Sequence, residues 1–82
     1  MYTTYILYSK TIKQFYTGQT EDLERRIMEH NRGKTPFMKR GIPWELVYHK
    51  AYETRAEAMQ DEKRIKKRGA GRFLEEHGVE VG

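Results

Sequence analysis

Only fifteen Leu, Ile, Val and Phe residues are spread along these 82 positions, and there is no cysteine to staple what they cannot hold. That is under about a fifth of the chain, a level at which disorder competes with folding when net charge is high. Six Tyr, four Met and one Trp add apolar mass, and turn and cap residues divide the chain cleanly. The reading is a folded domain whose core leans on tyrosine, modest in size and marginally stable. One domain over residues 1–82 is expected. The missing cysteine also excludes disulfides, thiolate catalysis and Cys-based zinc sites.

The punctuation gives an element order. Residues 2–9 (YTTYILYS) are β-branched and aromatic and read as a strand. Residues 10–13 read as a turn and residues 14–17 (QFYT) as a returning antiparallel strand that Gly18 breaks. Thr20 is the expected N-cap of a helix running to about Arg32, with Glu21 and Asp22 in its first turn and Gly33 as its left-handed exit. Residues 34–43 hold two Pro, one Gly and three basic residues and read as a loop. Residues 44–52 read as a third strand. Thr54 and Glu57 form a capping box for a second helix to about Arg68. Gly69 and Gly71 are expected to end it. Residues 72–77 read as a short helical turn, and the last five residues as frayed. The order β-β-α-β-α implies an α+β domain, a small antiparallel sheet flanked by helices.

Charged groups fall on stripes that ought to be apolar. In the first helix Leu23 and Ile27 mark the core face, and Arg26 and His30 share it at helical spacing. They either snorkel past the edge of that face or point into a site at the rim of the sheet. In the second helix the apolar positions are read as Ala58, Met59 and Ile65, which centres Glu62 on the same stripe. A buried, unpaired carboxylate costs several kcal/mol, so a partner is required. An ion pair with Arg26 is one solution; a metal ion is the other. Tyr5 shares a strand face with Leu7, and Ile6 shares the opposite face with Tyr8. Periodicity singles out neither Tyr5 nor Tyr16.

Lys and Arg outnumber Asp and Glu by 16 to 12, for a formal net charge of +4. A basic small domain suits a polyanionic partner. The run Lys63-Arg64-Ile65-Lys66-Lys67-Arg68 compensates a helix C-terminus. Lys63, Lys66 and Lys67, with the loop cations Lys34, Lys39 and Arg40, can also line a phosphate-tracking surface. No apolar run approaches the roughly 20 residues that cross a membrane. The mixed polar and aromatic N-terminus does not read as a signal peptide. A soluble, cytoplasmic protein with no membrane partner is therefore expected.

Taken in order, Tyr5, Tyr16-Thr17-Gly18, Leu23-x-x-Arg26-x-x-x-His30 and Glu57-Ala58-x-x-x-Glu62 resemble the GIY-YIG nuclease pattern over about residues 2–68. That superfamily includes the N-terminal nuclease domain of the bacterial excision-repair endonuclease and certain homing endonucleases. The likeness is greatest to short single-domain bacterial members. The resemblance implies a three-stranded antiparallel sheet flanked by helices and metal-dependent cleavage of phosphodiester bonds in DNA, with RNA as a further substrate. It casts Tyr5 and Tyr16 as the active-site tyrosines that activate or orient the attacking water. Arg26 is cast on the scissile phosphate, His30 as an assistant to nucleophile or phosphate, and Glu62 as the ligand of a single Mg2+ or Mn2+. It further implies a place in DNA repair, as a homodimer or in a larger repair complex. The sequence departs from the pattern at Thr3-Thr4 before Tyr5, at Thr17 and at Gln19, and has no clear late asparagine after Glu62. Two competing readings follow: a nucleic-acid-binding module with lost or weak catalysis, and a protein-interaction domain in which Arg26 and Glu62 form a structural pair.

Overall fold

In the computed structural model, which describes residues 1–81, one strand has helices on both of its faces. This is β1 (Tyr2–Ser9), the centre of a three-stranded antiparallel sheet. β2 (Gln14–Thr20) and β3 (Trp44–Tyr52) flank it, in the order β2-β1-β3. Alternation along β1 therefore sorts side chains between two cores rather than between core and solvent. Tyr5 and Leu7 face the layer formed by α1 (Leu23–Asn31) and α2 (Pro36–Arg40), where they meet Met38 and Trp44. Ile6 faces α3 (Arg55–Arg68) and α4 (Ala70–Glu76), where it meets Ile65, Phe73 and Leu74. A register shift between Ile6 and Leu7 against β3 marks a bulge in that pair. The α+β class and the three-stranded antiparallel sheet stand as the sequence suggested, with α2 added and the helical turn expected over 72–77 lengthened into α4.

Local chemistry accounts for the differences in boundaries. Gly18 does not break β2. It pairs with Tyr5 in the ladder, and a Cβ there would lie 2.8 Å from the Tyr5 hydroxyl oxygen, so the strand needs a glycine to pass that ring. The N-cap of α1 is Asp22, not Thr20: Asp22 Oδ1 accepts from the Arg25 amide at 3.1 Å, while the Thr20 hydroxyl accepts from the Asp22 amide. Gly33, at φ +70°, follows the helix as the expected left-handed exit. The segment read as a loop contains α2, because Thr35 caps the Met38 amide and Pro36 occupies the first turn, where its missing N–H costs nothing. Thr54 and Glu57 form the full capping box, and α3 ends at Arg68 as expected. α4 begins at Ala70 and absorbs Gly71, whose bare Cα lies against Phe15. Val79 and Val81 pack on the second core instead of fraying; Gly82 lies outside the described residues.

The stripe of α3 is centred elsewhere than the sequence reading put it. Ala58, Asp61 and Ile65 are its buried positions, whereas Met59 is 44% exposed. The buried carboxylate is thus Asp61. Its Oδ2 accepts from the Tyr48 hydroxyl at 3.3 Å and its Oδ1 pairs with Arg64 at 2.5 Å, which ties α3 to β3. Burial and then the Asp61 charge push the Tyr48 hydroxyl above its ordinary pKa. Thr4 adds a second tie from the central strand by donating to the Ala58 carbonyl at 2.8 Å.

The two adjacent carboxylates should separate cleanly in unfolding experiments. Asp61→Ala strands the half-buried Tyr48 hydroxyl and should lower the free energy of unfolding by about 1–3 kcal/mol. Glu62→Ala removes only an i,i+4 pair and should stay within about 0.5 kcal/mol of wild type. Urea titration of both variants checks the contrast.

Candidate active site

Tyr5 lies at the middle of β1 and is 1% exposed. Its hydroxyl oxygen stands 2.9 Å from Nε2 of His30, on the last turn of α1. Tyr16 on β2 closes the group, with ring centroids 6.3 Å from Tyr5 and 4.6 Å from His30. His30 is itself 8% exposed, which resolves the sequence alternative: it points inward rather than snorkelling.

Burial fixes the protonation states of two of these groups. Desolvation raises the Tyr5 hydroxyl far above the ordinary tyrosine range, and Tyr16 and Glu62 add to the rise while Arg26 opposes it. Tyr5 therefore keeps its proton at neutral pH. Desolvation lowers the pKa of His30, and the nearby Arg26 charge lowers it further against the opposing pull of Glu29. His30 is accordingly a neutral imidazole at pH 7, able to accept a proton.

Tyr16 and His30 line a cavity of about 230 Å³ together with Arg26, Lys34, Thr35 and Phe37. Arg26 is half-exposed at its mouth and pairs with Glu29 at 3.6 Å. Lys34 stands on the same rim, its ammonium 3.0 Å from Glu29. Glu29 thus gathers two of the cavity's cations, a role that sequence reasoning missed. The i+3 spacing from Arg26 was the available signal.

Glu62 enters from the opposite helix layer. It is partly buried, its Oε2 lies 2.7 Å from the Lys66 ammonium, and its charge is felt at Tyr5. Arg26 and Glu62 do not form the structural ion pair considered from sequence; each has its own neighbour on its own helix. Tyr5, Tyr16, Arg26 and His30 therefore come together directly, whereas Glu62 lies on α3 and does not line the cavity. Lys39 and Arg40 are exposed on α2, and Lys63 and Lys67 on α3. Sequence reasoning passes over Thr35 and Phe37 because the α2 segment reads as loop.

Among the described residues no group of three His, Asp or Glu side chains is placed to hold a metal ion. A single carboxylate such as Glu62 would suffice only for a hard divalent cation that keeps most of its waters and takes further oxygens from substrate. Among the described residues no helix is long and apolar enough to cross a membrane.

Residues 1–72 match the family described as "GIY-YIG catalytic domain". A "UPF0213 protein" of Haloquadratum walsbyi is 38% identical over 72 residues, covering 84% of this chain and 81% of that protein. Another from Bacillus pumilus is 46% identical over 52 residues, 62% of this chain, and the match takes in only 53% of that relative's length. The solution NMR structure of a UPF0213 protein from Bacillus halodurans superimposes with a TM-score of 0.57 at 34% identity, covering 95% of this chain and 84% of that one.

The depressed pKa of His30 has a consequence for stability. The unfolded chain takes up the proton near pH 6.5, before the folded protein does. Stability present above that pH should therefore decline as the pH falls below about 6.5 toward the folded-state value. His30→Asn should flatten this part of the profile. Unfolding curves between pH 7.5 and 5, with the His30 ring followed by NMR, check both statements.

Proposed function

The chain belongs to the GIY-YIG catalytic-domain family, and on that premise we propose that it is a divalent-metal-dependent endonuclease hydrolysing phosphodiester bonds. Residues 1–82 form the nuclease domain, DNA is its main substrate and RNA a second. The observation that carries the reading is the convergence of Tyr16, Arg26 and His30 on one cavity, with Glu62 close enough to act on Tyr5.

The roles follow from burial and protonation. Tyr16 is half-buried on the cavity wall, where water reaches it, and the neutral His30 imidazole stands beside it to take the water's proton. Tyr5, buried and protonated, is a positioning residue: in the tautomer that lets His30 act as the base, Nε2–H donates to the Tyr5 hydroxyl oxygen and Nδ1 keeps the free lone pair that takes the water's proton. Arg26 can swing from Glu29 to offer bidentate donors to the scissile phosphate. Glu62 would hold Mg2+ or Mn2+, which when bound polarises the phosphoryl oxygen and stabilises charge on the leaving oxygen. Lys34, Lys39, Arg40, Lys63, Lys66 and Lys67 would follow the backbone phosphates. A cytoplasmic role in DNA repair, as a homodimer or within a larger complex, fits this chemistry. The second reading is a binding module with lost turnover. It is favoured by the Lys66 ammonium already neutralising Glu62 and by the substituted first motif, Thr3-Thr4-Tyr5.

Cleavage of plasmid and branched DNA with Mg2+ or Mn2+ decides between them. Glu62→Ala and Tyr16→Phe should each lower the rate about a hundredfold or more, and Arg26→Ala by a similar factor. Cleavage undiminished in both Glu62→Ala and Tyr16→Phe would overturn the assignment. Binding with no turnover under any metal supports the second reading.

The surface cations predict a separate effect. In the double variant Lys63→Gln, Lys67→Gln, the slope of log affinity against log salt should become shallower by about one unit for each phosphate no longer neutralised. Fluorescence anisotropy at several salt concentrations measures it.

A further inference from the structure

Phe37 is an exposed aromatic that the fold does not use. It is 37% exposed and belongs to neither core cluster. Yet its position is firmly set. It lies on α2, which Thr35 caps. Its ring stands 5.7 Å from that of Trp44, which is 3% exposed and donates through Nε1 to the Met38 carbonyl at 2.9 Å. A half-exposed ring resting on a buried aromatic is a stacking platform.

Two cavities share this platform. One is the cavity of Arg26 and His30. The other, of about 440 Å³, is lined by residues of β2, by Lys66 on α3 and by Ala70 at the start of α4. Phe37 and Tyr16 line both. The second groove is thus an aromatic-walled continuation of the candidate site, with one cation on its wall, the Lys66 ammonium that pairs with Glu62. Bases within a duplex are already stacked and have no free face for a protein ring. An unpaired base has one, and aromatic platforms beside backbone-tracking cations are how single strands are held.

We propose that this groove holds one unpaired base of the strand to be cut, next to the scissile phosphate, stacked against Phe37 and the wall formed by Tyr16. The proposal rests on the nuclease reading of the neighbouring cavity and names its substrate class: a single-stranded or locally opened nucleic acid.

Binding without turnover tests it. In EDTA, a short single-stranded oligodeoxynucleotide carrying one 2-aminopurine reports affinity by anisotropy and stacking by fluorescence quenching. The same sequence as a duplex is the control. Phe37→Ala should weaken single-strand binding about tenfold and remove the quenching, while duplex affinity changes by less than about twofold. Phe37→Leu keeps apolar bulk without a ring. It should lose the quenching too, and it carries the test if the alanine variant proves unfolded in a thermal scan. Unchanged single-strand affinity and quenching in the variants would overturn the proposal. So would equal losses on duplex, or a wild-type protein that does not bind the single strand. An absence of Glu62-dependent cleavage on every substrate would overturn the nuclease reading alone, since the binding measurements decide the base-holding groove by themselves.

Discussion

Everything in this structure depends on β1 being covered on both faces. A strand so placed cannot use alternation to separate water from core, and its eight residues must satisfy two different neighbours. Leu7 and Tyr5 hold the α1/α2 layer, while Ile6 and Thr4 hold the α3/α4 layer. With so few aliphatic side chains available, tyrosine does part of the packing. Tyr5 is at once a core residue and the anchor of His30, so the apolar and polar parts of the protein meet in a single side chain.

That dual use gives the site its electrostatics. The same desolvation that stabilises the core raises the Tyr5 hydroxyl and lowers the His30 imidazole. Both groups are driven to their neutral forms, leaving charge to the half-exposed Arg26 and the partly buried Glu62. A neutral acceptor beside a cation is a suitable arrangement for moving a proton next to a phosphate, and it arises here from burial.

The sheet and the two long helices were legible because their signals are local: β-branched runs, a capping box, and a glycine at a left-handed exit. Helix α2 and the start of α4 were not, since Pro36 and Gly71 look like breakers unless one knows that the first sits at a helix start and the second against Phe15; the rest of α4 was read as a helical turn over 72–77. The spacing of His30 to Leu23 and Ile27 put it on the core face but left open whether it snorkels or turns inward, which its burial decides. The centre of the α3 stripe was misjudged by one position. Ala58 and Ile65 are compatible with either Asp61 or Glu62 between them, and the choice is made by Tyr48 on β3, a contact that spacing within one helix cannot show. Tyr5 and Tyr16 stood out only by resemblance, because their meeting depends on the strand register and on the glycine between them.

The placement of Glu62 has a mechanical side. Four of the five candidate residues are set by the α1/α2 layer and the sheet, whereas Glu62 rides on α3, whose seat is Ile65 against Ile6, Phe73 and Leu74. The distance from the carboxylate to the tyrosines is therefore a measure of how the two helix layers are aligned through a sheet one strand thick. Packing at the far side of the protein becomes an adjustment of the site. Substitution at Phe73 or Leu74, by tilting α3, would move Glu62 relative to the tyrosines with no change in any of the five candidate residues.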